Sequence, residues 1–149
     1  MEKINEIDEA QYKVDLIISD NYIKFSGELL RLSLLAIGGF GTLTILNIKG
    51  EDKLHVFANP IFLILSLVCF VICSSAALCH RYYATDTISW YISWLRAEKI
   101  KNEIKADKEK KGFYKLLKYS RISLITCEIS FGIGVVFFFI AIVHLFICK

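Results

Sequence analysis

The residues of this chain that could do chemistry are few and widely spaced. Glu128 is the single acid in a long apolar stretch, 122–148. A charge in such a stretch is expensive in lipid and usually serves an ion path, a proton relay or a partner. Glu128 is therefore the candidate pore or gate residue. Residues 129–147 alone are long enough to cross a bilayer, so the sequence equally allows Glu128 to sit at a membrane boundary. His80 and Asp86 stand too isolated to form a catalytic dyad. The five cysteines, Cys69, Cys73, Cys79, Cys127 and Cys148, all lie within or at the ends of apolar stretches, where cysteine behaves as a small buried residue. Cys69, Cys73, Cys79 and His80 lack the paired ligand spacing of a structural zinc site. No metal and no cofactor is expected. The sequence contains no Gly-x-Ser-x-Gly, no His-Glu-x-x-His and no glycine-rich phosphate loop, so an enzyme is not expected.

The elements that must position these residues follow from hydropathy. Of 149 residues 55% are hydrophobic, and the excess is gathered into blocks, which separates a membrane protein from a soluble one of ordinary composition. A helix needs about 20 mostly apolar residues to cross the hydrocarbon layer. Residues 29–48, 60–79 and 122–148 qualify, interrupted only by Arg31 in the first and Glu128 in the third. The runs are continuous, whereas barrel strands alternate apolar and polar residues. The expected fold is all-α and integral to the membrane. It has three transmembrane helices, an N-terminal amphipathic cytoplasmic helix, and a helical cytoplasmic segment between spans two and three.

Lysine and arginine set the orientation. With the N-terminus inside, the cytoplasmic side holds 15 basic residues and the outer side 3. This predicts a multi-pass protein of the bacterial inner membrane, N-terminus cytoplasmic and C-terminus outside. Residues 1–28 are polar and acidic, with net charge −4. They lack the basic start of a signal peptide, so the first span is expected to act as an uncleaved anchor. Ile4, Ile7, Val14, Ile18 and Phe25 recur there at helical spacing.

In the hairpin 29–80, Gly38, Gly39 and Gly41 are candidates for close helix contact, within the chain or between subunits. Asn59 and Pro60 read as a helix cap and first helical residue. Cys69, Cys73 and Ala76 share a stripe with His80 and are further packing candidates. Tyr82, Tyr83, Trp90, Tyr91 and Trp94 are expected to anchor the chain at the membrane–water boundary. The segment 81–121 carries eleven bases and five acids, net +6. It suits the anionic inner leaflet or the acidic residues 1–28. Without a phosphate loop, no nucleic acid is expected. A helix is predicted to run from 81 to about 111, with Gly112 as its break. A return leg of only 113–121 would then force the outgoing helix to tilt, bend or lie on the membrane surface. The third span and C-terminus occupy 122–149.

The run His80-Arg81-Tyr82-Tyr83-Ala84-Thr85-Asp86, following a membrane hairpin and leading into a charged helix, resembles the SLATT-like membrane effectors of bacterial antiphage systems. The similar part is roughly residues 20–110. The third span goes beyond that two-span pattern, so no functional residue is carried over. The resemblance implies an oligomeric effector that forms pores or damages membranes when infection is sensed. The expected partners are the lipid bilayer and further copies of the chain. The alternative is a non-conducting accessory subunit that binds a cytoplasmic protein through 1–28 and 81–121.

Overall fold

A computed structural model describes the backbone of residues 9–49 and 60–147, and the side chains of 12–42 and 61–144. The described chain is three long helices: α1 (Glu9–Lys49), α2 (Pro60–Lys99) and α3 (Glu103–Ile147). They hold 41, 40 and 45 residues. At 1.5 Å per residue each is about 60 Å long, roughly twice the hydrocarbon thickness. The boundaries read at 28/29, 80/81 and 121/122 all fall inside continuous helices. The outer loop, with Asn59, and Cys148 lie outside the described residues.

α2 lies along α3, α1 lies mainly on α2, and α1 scarcely meets α3. The seams are made of small residues. Ser26, Ser33, Ser66 and Cys73 are fully buried, as are Ala77 and Cys127. The Ser33 and Ser74 hydroxyls hydrogen-bond across α1 and α2 at 2.9 Å. Ser66 donates to the Gly134 carbonyl across α2 and α3 at 2.8 Å. A methyl on Gly134 would meet the Cys69 Cβ and the Phe70 ring at 3.2 Å, so glycine is what lets these two helices approach.

Most large apolar side chains point the other way, with Leu29, Leu63 and Phe70 buried among the described residues. Leu34, Leu35, Ile64, Val71, Ile129, Val136 and Phe139 are all exposed. Small-in and large-out reverses the water-soluble pattern and suits a lipid surround, where packing of small residues holds helices together. α2 and α3 each carry a stretch long and apolar enough to cross a membrane. Only 33% and 17% of those stretches are buried within the chain, far less than the core helix of a soluble domain would bury.

The break expected at Gly112 lies instead at residues 100–102, and Gly112 is inside α3. Lys101 takes a left-handed backbone (φ 56°). Its N–H donates to Glu98 O at 3.0 Å, and Asn102 N–H donates to Ala97 O at 3.1 Å. This is the Schellman pairing that closes a helix C-terminus. Asn102 then caps α3, its side-chain oxygen accepting from Lys105 N–H at 3.1 Å. The two legs, 81–99 and 103–121, are equal in length. The outgoing helix therefore returns alongside itself, and the tilt inferred from a short return leg is not needed. Lysine carries a steric penalty in the left-handed region that glycine does not. Lys101→Gly should stabilise the protein by about 1 kcal/mol, read as a melting temperature raised by a few degrees in detergent.

Candidate functional site

The three helices converge in the half of the bundle nearer Pro60. Phe40 of α1 stacks on Phe138 of α3 at 3.8 Å and tilts against Phe70 of α2 at 6.0 Å. Leu29 packs on Cys73, Ala77 and Cys127. Toward the beginning of α1 the helices splay. Tyr12 sets its ring edge-on to Tyr91 at 6.0 Å, which keeps α1 on α2, while α3 runs down another side of α2.

The splay leaves a cleft of about 570 Å³ between α1 and α3, floored by α2. Its apolar lining includes Leu16, Ile88, Leu117 and Leu124. Its polar groups are Asp15, Ser19, Tyr22, His80, Thr87, Tyr91, Ser120 and Arg121. His80 is 2% exposed, and its Nδ1 has no hydrogen-bond partner among the described residues. A buried, unmatched polar atom is costly and calls for an explanation. The Thr87 hydroxyl donates to Tyr83 O at 2.6 Å. Tyr91 donates to Asp15 at 3.4 Å. Burial pushes the Tyr91 phenol above its usual range, and the Asp15 carboxylate beside it adds to the effect. Tyr91 therefore stays a neutral donor at physiological pH. Chemically this set can hold the anionic or hydrogen-bonding head of an amphiphile.

The residues singled out from the sequence separate into three groups. Cys73 and Cys127 face each other across α2 and α3, sulfur to sulfur 3.4 Å, as free thiols. Ala76 packs on the same cluster, and Cys69 lies against Gly134. This stripe is a helix seam inside the chain. By contrast, a side chain added at Gly38, Gly39 or Gly41 would meet nothing within 4 Å. Those glycines serve no contact within the described chain. Val14, Ile18 and Phe25 also face outward, so the apolar stripe of α1 is not the one that packs.

Of the five aromatic residues expected as anchors, Tyr82 alone is exposed, at 69%. Tyr83 lies on Tyr119, Tyr91 and Trp94 lie on Phe113, and Lys110 sits over the Trp94 ring at 5.5 Å. The equal legs bring α3 alongside to receive these rings. Trp90 lies over Gly112, where any side chain would overlap its ring. Glu128 is exposed beside the buried Cys127, on a face of α3 turned away from α2. The described residues include no group of three histidine, cysteine or acidic side chains able to hold a metal.

Sequence reasoning missed the cleft and the role of Gly112. The only signal for either was the spacing of Tyr91, Trp90 and Gly112 along antiparallel helices whose turn position was not known.

Fold and packing together define an all-helical protein with two apolar helices of membrane-crossing length. No protein-family model, curated protein or solved structure matches the chain.

Proposed function

We propose that the chain crosses the bacterial inner membrane three times, through 29–48, 60–79 and 122–148, and assembles with copies of itself into an effector that breaches the membrane. The N-terminus and the α2–α3 stalk lie in the cytoplasm. The observation that carries this reading is the outward placement of Glu128. Seven residues of helix separate it from Arg121, about 10 Å along the axis. Left facing lipid, such a charge costs about 2.5–3.5 kcal/mol on insertion scales. A neighbouring copy or a shared water path removes that cost. The unoccupied faces at Gly38 and Gly39 suit the same assembly, since glycine lets helices of different subunits approach closely. Three helices cannot enclose a water path by themselves, so a pore requires several copies. The resemblance to SLATT-like antiphage effectors points the same way.

The alternative, an accessory subunit with a cytoplasmic protein partner, is favoured by one feature. Ile100 and Ile104 at the tip of the stalk are 78% and 87% exposed, an apolar end set among lysines. Membrane potential after induced expression separates the two. Wild type should depolarise the cell, and Glu128→Gln should abolish most of the depolarisation at equal membrane insertion. A leak unchanged by Glu128→Gln sinks the assignment of that residue. Absence of depolarisation, together with a co-purifying cytoplasmic protein, supports the accessory subunit.

A further inference from the structure

The cleft between α1 and α3 is not used by the assembly just described. Three observations bear on what it holds. The first is its level. His80 ends the apolar run of α2, and Arg121 precedes that of α3. The pairings of Tyr83 with Tyr119 and of Cys73 with Cys127 put His80 and Arg121 opposite each other on the antiparallel helices. Both therefore lie where hydrocarbon gives way to headgroups. The second is the unmatched Nδ1 of the buried His80. The third is the gradation of the walls. Leu124 and Ile125 line the membrane end, while at the cytoplasmic end Ser19, Thr87, Asp15 and Tyr91 stand among Leu16, Ile88, Phe113 and Leu117.

We propose that this cleft is a binding site for one acidic phospholipid of the inner leaflet, its phosphate held between Arg121 and His80. The Arg121 guanidinium offers a fork of N–H donors matched to a phosphate. The imidazole, which lines the cleft, supplies one further hydrogen bond. The acyl chains leave past Leu124 and Ile125 into the bilayer. A hydroxyl-bearing headgroup such as glycerol faces Ser19, Thr87 and Asp15. The site is distinct from general attraction of the basic stalk to the inner leaflet, because it depends on one arginine and on a walled space.

The inference rests on the reading that α2 and α3 cross the bilayer, and the test keeps the two apart. The full chain is purified in neutral detergent, and its melting temperature is followed as phosphatidylglycerol, phosphatidylcholine or soluble glycerol 3-phosphate is added. Phosphatidylglycerol should raise the melting temperature in a saturable way, and the other two should not. Arg121→Gln should weaken that binding about tenfold, the effect of losing a charge-assisted pair. Leu117→Trp, a partly exposed lining residue filled with a larger ring, should weaken it at least as much. Lys115→Gln and Lys118→Gln, exposed on the same helix outside the cleft, should leave it within about twofold. Each variant is checked for an unshifted melt without lipid.

Equal response to both phospholipids, or an unaltered response in Arg121→Gln, overturns the site. A full response to glycerol 3-phosphate overturns the lipid and assigns the site to a soluble phosphate. Any of these results in a chain that still resists carbonate extraction from membranes leaves the spanning reading intact, whereas release by carbonate overturns both.

Discussion

Gly112→Leu should unfold the α2–α3 stalk, and Gly112→Ala should lower stability by about 1–3 kcal/mol, the usual effect of overfilling a packed site. The reason is contact. A Cβ at position 112 would overlap the six-membered part of the Trp90 indole, and the indole is not free to retreat. Tyr91 and Trp94 on the same helix are held by Phe113, the neighbour of Gly112. Moving Trp90 away therefore means moving the helix that carries the whole aromatic seam. The size of the effect separates this role from a helix-propensity effect. Glycine to alanine in an exposed helix interior stabilises by about 1 kcal/mol, so the two accounts differ in sign. Trp90→Ala should be destabilising alone and should restore part of what Gly112→Leu loses, since the two residues share one volume. Thermal melting of the four proteins, with protease cleavage near residue 101 as a local readout, checks the argument. A Gly112→Ala protein that melts higher than wild type would show that the stalk does not need this contact.

The same glycine explains what could and could not be read from the sequence. Three helices, their approximate places and the membrane-crossing composition of two of them were legible, because apolar blocks of 20 or more residues leave little choice of structure. The break was misplaced because glycine serves two purposes. It ends helices, and it admits a bulky neighbour at close range. At Gly112 the second holds, and the neighbour, Trp90, is 22 positions away and invisible to local reasoning. The actual stop uses Lys101 and Asn102. Asn102 is a good cap by type, but nothing in the surrounding charges distinguishes it until the Schellman pairing is seen.

The face that α1 turns inward was not read from the sequence. Here Ser26, Leu29 and Ser33 turn inward, since small residues make the seam and large ones face out. The stripe Cys69, Cys73 and Ala76 was readable because it is made of small residues at helical spacing. The cleft was not, because it arises where α1 and α3 part company, and neither helix records that alone.

Reversing the charge at Arg31 or at Glu128 should each abolish self-assembly in membranes, and reversing both in one chain should restore it. The two residues lie at nearly one depth. Leu29, Cys73 and Cys127 belong to one buried cluster, and Arg31 is half a turn beyond that cluster on α1, while Glu128 is one residue beyond it on α3. Both point outward from helices that flank α2 on different sides. Among the described residues the ion pair of Arg31 is a loose contact with Glu28, 3.8 Å apart and exposed, a geometry worth little in water. In lipid the balance changes. An unpaired charge at that depth is costly, and a head-to-tail contact that sets α3 of one copy against α1 of the next brings Arg31 and Glu128 together. Such a heterologous contact repeats around a ring, which a pore requires.

Arg31→Glu places two acids at the contact, and Glu128→Arg places two bases there. Like charges facing each other at an interface cost several kcal/mol, enough to remove nearly all of the larger species. The double reversal rebuilds the pair with its sign exchanged. Cross-linking in native membranes, read as the ladder of oligomers, distinguishes the cases. A wild-type ladder lost in both single variants and regained in the double would fix the contact. A ladder that persists in both single variants would show that the copies meet elsewhere, with the glycine face of α1 the next surface to alter. A wild-type chain that gives no ladder at all would remove the self-assembling reading together with the contact.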